Sequence, residues 1–282
     1  MREAFEDFWA TYQSTLGFSI VNAFFALSTY AVLSVGILSF ATVTFAAMGG
    51  FLGVQLMLLT GLPPLLVLPL CALSGSIMAV VVALVFLRLE SHWMALASLA
   101  LVLITRVVTL NATKLTGGVY GMSVPVTVPL GALALVLAIT ALVFWRLSDS
   151  WYGIASRAVR EDMAVATTLG MPPRHIQLVA FIISGATGGV GGMLLALTLQ
   201  YLSPDTYFIH IAFTMIAAVV LGGSYHWAGA ILGAAVFTAL PVALQAVAPD
   251  YEKVANGVVL LLIMIFLPRG LIDPRFWRLR RT

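Results

Sequence analysis

The chain has 282 residues, of which 61% are hydrophobic and only 9% are charged, and its mean hydropathy is +1.07. Because an ordinary soluble domain has roughly 25% charged residues, this composition excludes a soluble globular protein and indicates an integral membrane protein. The formal net charge of +3 does not indicate a nucleic-acid partner, since the basic residues are confined to a few short segments. The one cysteine, Cys71, lies in an apolar run and gives no support for a disulfide, a zinc site or thiol catalysis.

The first residues, MREAFEDFWATYQ, are acidic and are followed by no small-residue cleavage site. We therefore expect an amphipathic lead-in helix over residues 1–16 rather than a cleaved signal peptide.

Apolar segments of about 20 residues recur along the chain, the length at which a helix crosses a hydrocarbon core of about 30 Å. The alternating pattern of a transmembrane β-barrel is missing. We predict an all-α, polytopic transmembrane helix bundle with eight to ten spans. The predicted spans are Phe18–Ser39, Thr42–Thr60, Leu65–Leu87, Trp93–Leu110 and Val126–Trp145, followed by Leu178–Leu199, Phe208–Leu221, Ala230–Val247 and Val254–Leu267.

Two of these spans lack clear polar markers. The sequence from Phe18 to Leu59 is nearly continuous in its apolar character, so the division near Phe40 is set by length alone. The segment Phe208–Leu221 is short enough to be partly re-entrant.

The only long polar interval between apolar runs extends from Arg146 to Gln177. Within it, apolar residues follow the spacing of one helical face and predict an amphipathic helix over Trp151–Leu169. Asp149 and Ser150 can cap its start, and Gly170 followed by two prolines ends it. The face consists of Trp151, Ile154, Ala155, Ala158, Val159, Met163, Ala166 and Leu169, with Arg157 and Glu161 opposite. Such a helix either lies in the lipid headgroup layer or is bound by a soluble partner.

Lysine and arginine mark the cytoplasmic side of a membrane protein. Ten of the fourteen basic residues fall on one side of the predicted bundle: Arg88, Arg146, Arg157, Arg160, Arg174, Arg269, Arg275, Arg278, Arg280 and Arg281. Four spans separate the central polar interval from the C-terminal group, so the two share a side, which we predict to be the cytoplasm. Lys114 and Lys253 then lie outside, as does the N-terminus if there are nine spans.

Glycines recur inside the predicted spans, most densely in SGATGGVGG. Small residues allow helix backbones to approach closely in lipid, and the same density also suits a helix that breaks beside a substrate path. The glycines concerned are Gly49, Gly50, Gly53, Gly185, Gly188, Gly189, Gly191, Gly192, Gly222, Gly223, Gly229 and Gly233.

Catalytic groups are not indicated. No aspartate or glutamate lies in the middle of a predicted span, and the four histidines have no metal-ligand spacing. Ser224 and His226 are near neighbours in a turn, a poor arrangement for a nucleophile and its base. No phosphate-binding loop ending in Lys-Ser or Lys-Thr is present, so we expect the chain not to hydrolyse nucleotides itself.

Arg106 is the single charge inside a predicted span. It either extends its side chain to the outer interface or faces a cavity, where its guanidinium orients an anionic group such as a carboxylate. The segment that follows, NATKLTGGVYGMSVP, is either an ordinary connector or a mouth where a docked partner delivers substrate.

Four segments carry a resemblance to a known family: ITRVVTLNATKLTGGVYGM (Ile104–Met122), ASRAVREDMAVATTLGMPPRHIQLVAF (Ala155–Phe181), VVLGGSYHWAGAILGA (Val219–Ala234) and FLPRGLI (Phe266–Ile272). They resemble permease subunits of branched-chain amino acid ABC importers, within the wider hydrophobic and polar amino acid and urea uptake group. The likeness extends from about Tyr30 to Ile272. It includes the Arg-Ala-x-Arg-Glu-Asp run of the cytoplasmic loop, the Thr-Gly-Gly-x-x-Gly loop, the Leu-Gly-Gly turn and the Pro-x-Gly-Leu ending.

The resemblance implies one transmembrane permease domain over residues 1–282, with a cytoplasmic coupling loop at 146–177 and a basic cytoplasmic tail at 268–282. It implies a multi-pass protein of the bacterial inner membrane that transports branched-chain or related amino acids and is not an enzyme. The implied partners are two cytoplasmic ATP-binding subunits, a second homologous permease subunit, an extracytoplasmic substrate-binding protein and membrane lipid. ATP would be bound by the partner subunits, and no cofactor or metal is expected in this chain.

The resemblance also suggests two sets of functional residues. The predicted coupling residues are Val159, Arg160, Glu161, Asp162, Ala166 and Gly170, and the predicted pathway residues are Arg106, Asn111, Thr116, Gly117 and Gly118. The Glu-Ala-Ala…Gly signature of ABC importers, aligned on Gly170, places Ala164, Val165 and Ala166 at its first three positions, so its glutamate is missing here. An amide or urea as the carried solute stays open.

Two other hypotheses belong to different classes. A stand-alone secondary carrier or channel would work without an ATPase and would be expected to keep an acidic residue within its pathway. A structural membrane component would use the glycine-rich runs for packing only.

Overall fold

The computed structural model describes residues 2–245 and 270–272. Within these residues the chain is almost entirely helical. The helices are α1 (Arg2–Leu33), α2 (Thr42–Thr60), α3 (Pro64–Phe86), α4 (Ser91–Asn111), α5 (Thr113–Thr116), α6 (Leu130–Ser148), α7 (Trp151–Glu161), α8 (Met163–Thr168), α9 (Pro173–Leu199), α10 (Ile209–Gly222) and α11 (Trp227–Gln245). Two short strands, β1 (Met122–Ser123) and β2 (Tyr201–Leu202), pair antiparallel.

Seven segments of the described residues are long and apolar enough to cross a membrane, and α11 contributes a shorter apolar helix, Trp227–Val242. The prediction of a polytopic helical bundle is therefore confirmed. Seven of the nine predicted spans match these segments, and Ala230–Val247 falls largely on α11. The predicted span Val254–Leu267 lies outside the described residues. The predicted lead-in is continuous with the first span, because α1 extends without a break from Arg2 to Leu33.

Helix α9 is the centre of the bundle and packs against α1, α2 and α3. Its glycines lie at these contacts: a Cβ atom at Gly185 would overlap the carbonyl oxygen of Gly75, and one at Gly189 would overlap that of Cys71. Helix α9 is continuous, so its glycines serve close packing rather than a break in the helix. The peripheral helices are α4 and α6, in which 28% and 11% of the spanning window is buried.

The predicted division near Phe40 is confirmed, but α1 ends at Leu33, six residues earlier than predicted. Gly36 ends the helix with φ +81°, a left-handed conformation that glycine adopts without steric cost. Most of the segment that follows is buried although it is not helical, and only Leu38 is exposed, at 39%. Its backbone still finds partners, as buried backbone requires: the Ile37 nitrogen donates to the Val32 carbonyl at 3.3 Å, and the Phe40 nitrogen donates to Ser98 Oγ of α4 at 3.0 Å.

The bundle has two ends that we name by their residues. The basic end carries α7, α8, the α1–α2 and α3–α4 connections and the α10–α11 turn, with Arg88, Arg146, Arg157, Arg160 and Arg174. The opposite end carries α5 and the β1–β2 pair. The segment 270–272 lies at the basic end, where the Leu271 nitrogen donates to the Leu221 carbonyl at 2.9 Å. The basic residues of the predicted C-terminal tail, from Arg269 to Arg281, lie outside the described residues, so the prediction that they share this side stays a prediction.

Candidate functional site

The predicted helix over Trp151–Leu169 is two helices rather than one, and this part of the prediction is wrong. Asp162 is extended, with φ −156° and ψ +114°, and separates α7 from α8. Its carboxylate accepts hydrogen bonds from the backbone nitrogens of Ala164 at 2.7 Å and Val165 at 3.1 Å, so it caps α8. Gly170 ends the segment as predicted, with φ +76°.

The apolar face of α7 and α8 holds both helices on the bundle. Ala155, Val159 and Ala166 are each at most 1% exposed and belong to a buried cluster with residues of α1, α2, α3, α4 and α9. Burial of these side chains is the main source of stability at this contact. Two of the predicted coupling residues, Val159 and Ala166, are therefore inside the protein and cannot touch a partner in this conformation.

Of the other apolar residues of the predicted face, Ala158 is partly buried against the same cluster and four are exposed. Trp151, Ile154, Met163 and Leu169 are 60%, 54%, 45% and 65% exposed, and Val165 joins them at 53%. The predicted coupling residues Glu161, Asp162 and Gly170 are also on the surface. The segment thus has one face packed on the bundle and a second surface that is open.

Arg160 lies between α7 and the α10–α11 turn. Its guanidinium donates to the Ser224 carbonyl at 2.5 Å and to Ser224 Oγ at 2.8 Å, and it stacks over the Tyr225 ring at 4.3 Å from the ring centre. A Cβ atom at Gly36 would lie 3.4 Å from the Arg160 Cα atom. Arg160 therefore joins three separate parts of the basic end instead of projecting from it.

His226 caps the start of α11. Its Nδ1 accepts a hydrogen bond from the Ala228 nitrogen at 3.1 Å, which requires an unprotonated Nδ1. Burial and, to a smaller extent, the charge of Arg157 lower the pKa of His226, and Asp149 partly opposes them. Ser224 thus accepts hydrogen bonds from Arg160, and His226 accepts one from the first turn of α11.

A cavity of about 100 Å³ lies beside these residues, and we call it the basic-end cavity. The ends of α1 and α6, the inner side of α7 and the α10–α11 turn form its wall. Its polar lining includes Tyr30, Asp149, Tyr152, Arg157 and Arg160. Sequence reasoning missed it because these residues are up to 130 positions apart in the chain.

Arg106 is paired with an acidic residue of the same chain. Its Nη2 and Nε atoms both lie 2.8 Å from Asp205 Oδ1, and its guanidinium lies 4.8 Å from the centre of the Phe208 ring. The two side chains are 40% and 67% exposed. The carboxylate that Arg106 orients is therefore Asp205, which follows β2 at the opposite end.

The other predicted pathway residues form the turn after α4. Thr116 is buried and donates to the Thr109 carbonyl at 2.5 Å, and it accepts from the Gly118 nitrogen at 3.2 Å. A Cβ atom at Gly117 would overlap the carbonyl oxygen of Gly121. Asn111 is exposed and donates to the Val107 carbonyl of its own helix at 2.8 Å. These residues give the turn its shape.

A second cavity, of about 210 Å³, lies between α2, α3 and α4 and includes Thr116 in its wall. Its other polar residues are Thr44, Thr105 and Thr109, and the hydroxyls of Thr44 and Thr105 are 2.9 Å apart. The spacing of Thr105 and Thr109 by four residues on α4 is a signal that could have indicated a common face. No group of three or more His, Cys, Asp or Glu within the described ranges could hold a metal ion.

Comparison with known proteins places the chain in a family. The family described as "Branched-chain amino acid transport system / permease component" matches residues 11–267. The high-affinity branched-chain amino acid transport system permease protein LivM of Escherichia coli is 29% identical over 240 residues, which cover 73% of this chain and 56% of LivM. The probable branched-chain amino acid transport permease protein LivH of Methanocaldococcus jannaschii is 24% identical over 283 residues, which cover 90% of this chain and 88% of that LivH.

The chain thus spans little more than half the length of the LivM relatives that it matches. A further relative, the permease protein BraD of Pseudomonas aeruginosa, is 29% identical over 143 residues, which are 49% of this chain and 46% of BraD. No solved structure matches the chain. Since the family match covers nearly the whole bundle, the chain belongs to the family of permease components of branched-chain amino acid transport systems.

Proposed function

We propose that this chain is the membrane-spanning permease subunit of an ABC importer and forms the translocation pathway for branched-chain or related amino acids. ATP would be hydrolysed by two separate cytoplasmic subunits. A second homologous permease subunit would complete the pathway, and an external binding protein would deliver the substrate. Family membership supports the transport role, and the printed names of the relatives support the substrate class.

The observation that carries the coupling part of the proposal is the attachment of α7 and α8. Their inner face is buried against the bundle, and Arg160 connects α7 to the α10–α11 turn. A displacement of α7 by a partner would therefore reach several spans at once. The exposed surface of the segment, with Val165, Leu169 and Glu161, is available for that partner.

In this mechanism α7 and α8 transmit movement instead of supplying energy. Closure of the ATP-binding subunits would press on the exposed surface, and the buried face would pass the movement to α1, α3 and α9. Such rocking of packed helices around a central site is the usual way in which transporters alternate access. Arg106 and the turn at Thr116–Gly118 would lie at the outer mouth, where the binding protein docks.

The orientation assigned in this proposal puts the basic end in the cytoplasm, because Lys and Arg mark the cytoplasmic side. The lone cysteine makes this testable, since Cys71 is buried and is the only one in the sequence. In a Cys71→Ala background, Glu161→Cys should react with a membrane-impermeant maleimide only after the membrane is opened. Val119→Cys, which replaces a residue 75% exposed at the opposite end, should react in intact cells. The reverse pattern would contradict the orientation.

The coupling role is tested by charge reversal. Arg160→Glu should lower amino acid uptake and substrate-stimulated ATP hydrolysis together in the reconstituted transporter, because it places a carboxylate against the Ser224 carbonyl. The matched control is Arg146→Glu, which makes the same charge change at an exposed residue of the same end. Full turnover in Arg160→Glu would remove the coupling assignment.

Purification from native membranes tests the partners. Recovery with ATP-binding subunits supports the importer, whereas a pure protein that moves solute alone in vesicles supports a secondary carrier. Uptake of radiolabelled leucine, isoleucine, valine, amides and urea by the reconstituted assembly then identifies the substrate.

A further inference from the structure

The basic-end cavity has a size that suits a small organic solute. Its volume is about 100 Å³, enough space for on the order of seven to ten water-sized groups. An amino acid with an aliphatic side chain is of this size. Tyr225, Asp149 and Arg157 are exposed at its edge, so the cavity is reached from the solvent at the basic end.

The cavity has unused hydrogen-bond donors of positive charge. Arg157 and Arg160 both line it, and each guanidinium has five N–H groups. Arg160 uses two of its groups for Ser224, and Arg157 uses one for the Ser148 carbonyl at 3.3 Å. Guanidinium groups bind carboxylates in a two-pronged geometry, so the two arginines can hold the carboxylate of a solute.

Tyr152 also lines the cavity, but its hydroxyl has almost no surface accessible to solvent and so does not face the open space. The ring of Tyr152 forms part of the wall, and the charged donors of the cavity are Arg157 and Arg160.

The remaining lining fits the other parts of an amino acid. Among the described residues of the wall, Asp149 is the one acidic residue, and a carboxylate attracts an ammonium group. Phe144, Leu147 and Ile183 supply an apolar surface. With two arginines and one aspartate, the described lining has one excess positive charge, which favours a ligand with a carboxylate.

We propose that the basic-end cavity binds a zwitterionic amino acid with an apolar side chain. Its carboxylate lies on Arg157 and Arg160, its ammonium group faces Asp149, and its side chain lies against Phe144 and Ile183. The choice of an amino acid rests on the proposed function. Because such a ligand contacts α6, α7 and α9 together, it holds α7 against the bundle and slows the transport cycle when product accumulates at the basic end.

Equilibrium binding of radiolabelled leucine to the full-length chain in lipid nanodiscs tests the site. Unlabelled 4-methylpentanoate, which lacks the ammonium group, should compete weakly, and leucinol, which lacks the carboxylate, should not compete. Arg157→Gln should weaken leucine binding by about tenfold or more, because it removes a hydrogen bond between two charged groups. Its melting temperature should change little, because Arg157 is exposed and its hydrogen bond to the Ser148 carbonyl is 3.3 Å long. Arg146→Gln makes the same change at an exposed residue that does not line the cavity and should leave binding unchanged.

The proposal is overturned if wild-type protein shows no saturable leucine binding, if leucinol competes as well as leucine, or if folded Arg157→Gln binds with unchanged affinity. The complete transporter in proteoliposomes separates this result from the proposed function. ATP-driven leucine uptake without Arg157-sensitive binding would support the importer and remove the site. Arg157-sensitive binding without ATP-driven uptake of any amino acid would support the site and remove the importer.

Discussion

The two ends of the bundle each hold an arginine over an aromatic ring, but the arginines have different partners. At the basic end Arg160 donates to the carbonyl and hydroxyl oxygens of Ser224 and stacks on Tyr225. At the opposite end Arg106 pairs with the carboxylate of Asp205 and stacks on Phe208. Both contacts join segments far apart in the chain. Between described residues, only the second contact neutralises the charge of the arginine.

This difference assigns different properties to the two ends. A hydrogen bond from a guanidinium to a backbone carbonyl fixes geometry and leaves the positive charge in place, where it can attract an anion. An ion pair between half-exposed side chains is weak and is screened by salt. We therefore expect the basic end to be a firm junction that keeps its electrostatic attraction, and the opposite end to be a contact that opens at low cost.

The comparison requires that the helices that carry the two arginines belong to one closely packed bundle. Gly189→Leu tests this packing and has the largest expected effect. A Cβ atom at this position would already overlap the Cys71 carbonyl oxygen, and the rest of a leucine side chain must push α3 away from α9. We expect a loss of about 3 kcal/mol or more in the free energy of unfolding, seen as little folded protein in size-exclusion chromatography.

Gly131→Leu is the matched control, because a Cβ atom at Gly131 of α6 would meet no atom of the described residues within 4 Å. It should yield wild-type amounts of folded protein. Equal yields from the two variants would mean that the glycine contacts of α9 do not set the spacing of the helices.

The junction at the basic end is tested by Arg160→Met, which removes the charged donor and keeps much of the side-chain volume. The loss of hydrogen bonds from a charged group should lower the free energy of unfolding by about 1.5–3 kcal/mol, measured by thermal unfolding in detergent. Arg146→Met, at an exposed residue of α6, should change it little. A shift for Arg160→Met no larger than that of the control would show that Arg160 does not hold α7 on the α10–α11 turn.

Much of the fold could be predicted from the sequence because membrane spans consist of long apolar runs. The starts of α2 and α10 were predicted to within one residue. The end of α1 was not, because the residues after it, such as Val35 and Ile37, are apolar and buried although they are not helical. Hydropathy reports burial, and it cannot tell a helix from an irregular segment that is buried in the same way.

The candidate site was predicted in part, for a related reason. Helical periodicity correctly found the buried positions Ala155, Val159 and Ala166. It could not show that Asp162 would leave the helix to cap α8, since an aspartate is compatible with both roles. The contacts of Arg160 with Ser224 and of Arg106 with Asp205 join residues 64 and 99 positions apart, and no local pattern in one sequence encodes such pairs.

A smaller effect is expected for His226, which adds a dependence on pH to the basic end. The pKa of His226 in the folded protein is lowered from the ordinary value of 6.5. At pH values between this lowered pKa and 6.5, the unfolded state therefore binds more protons than the folded state. The stability that His226 contributes is therefore present above pH 6.5 and is lost as the pH falls below it. Loss of a helix cap is worth about 1 kcal/mol.

His226→Asn keeps a hydrogen-bond acceptor at the start of α11 and cannot be protonated. Its melting temperature should fall less than that of the wild type when the pH is lowered from about 7.5 to about 5.5. His175→Asn, at an exposed residue of α9, should retain the wild-type dependence. The same pH dependence in His226→Asn and the wild type would show that the α10–α11 turn is not sensitive to pH through this residue.

The smallest effect is expected at the opposite end, where a double-mutant cycle of Arg106→Gln and Asp205→Asn measures the ion pair. Because the two side chains are 40% and 67% exposed, the interaction free energy should be about 0.2–1 kcal/mol and should decrease as salt is added. The matched cycle of Arg160→Met and Ser224→Ala measures the hydrogen bond to Ser224 Oγ alone, because alanine keeps the backbone carbonyl. It pairs a charge with a neutral hydroxyl, so its interaction free energy should hardly respond to salt. An Arg106–Asp205 interaction that responds to salt no more than this bond does would contradict the assignment of a weak, screened contact to the opposite end.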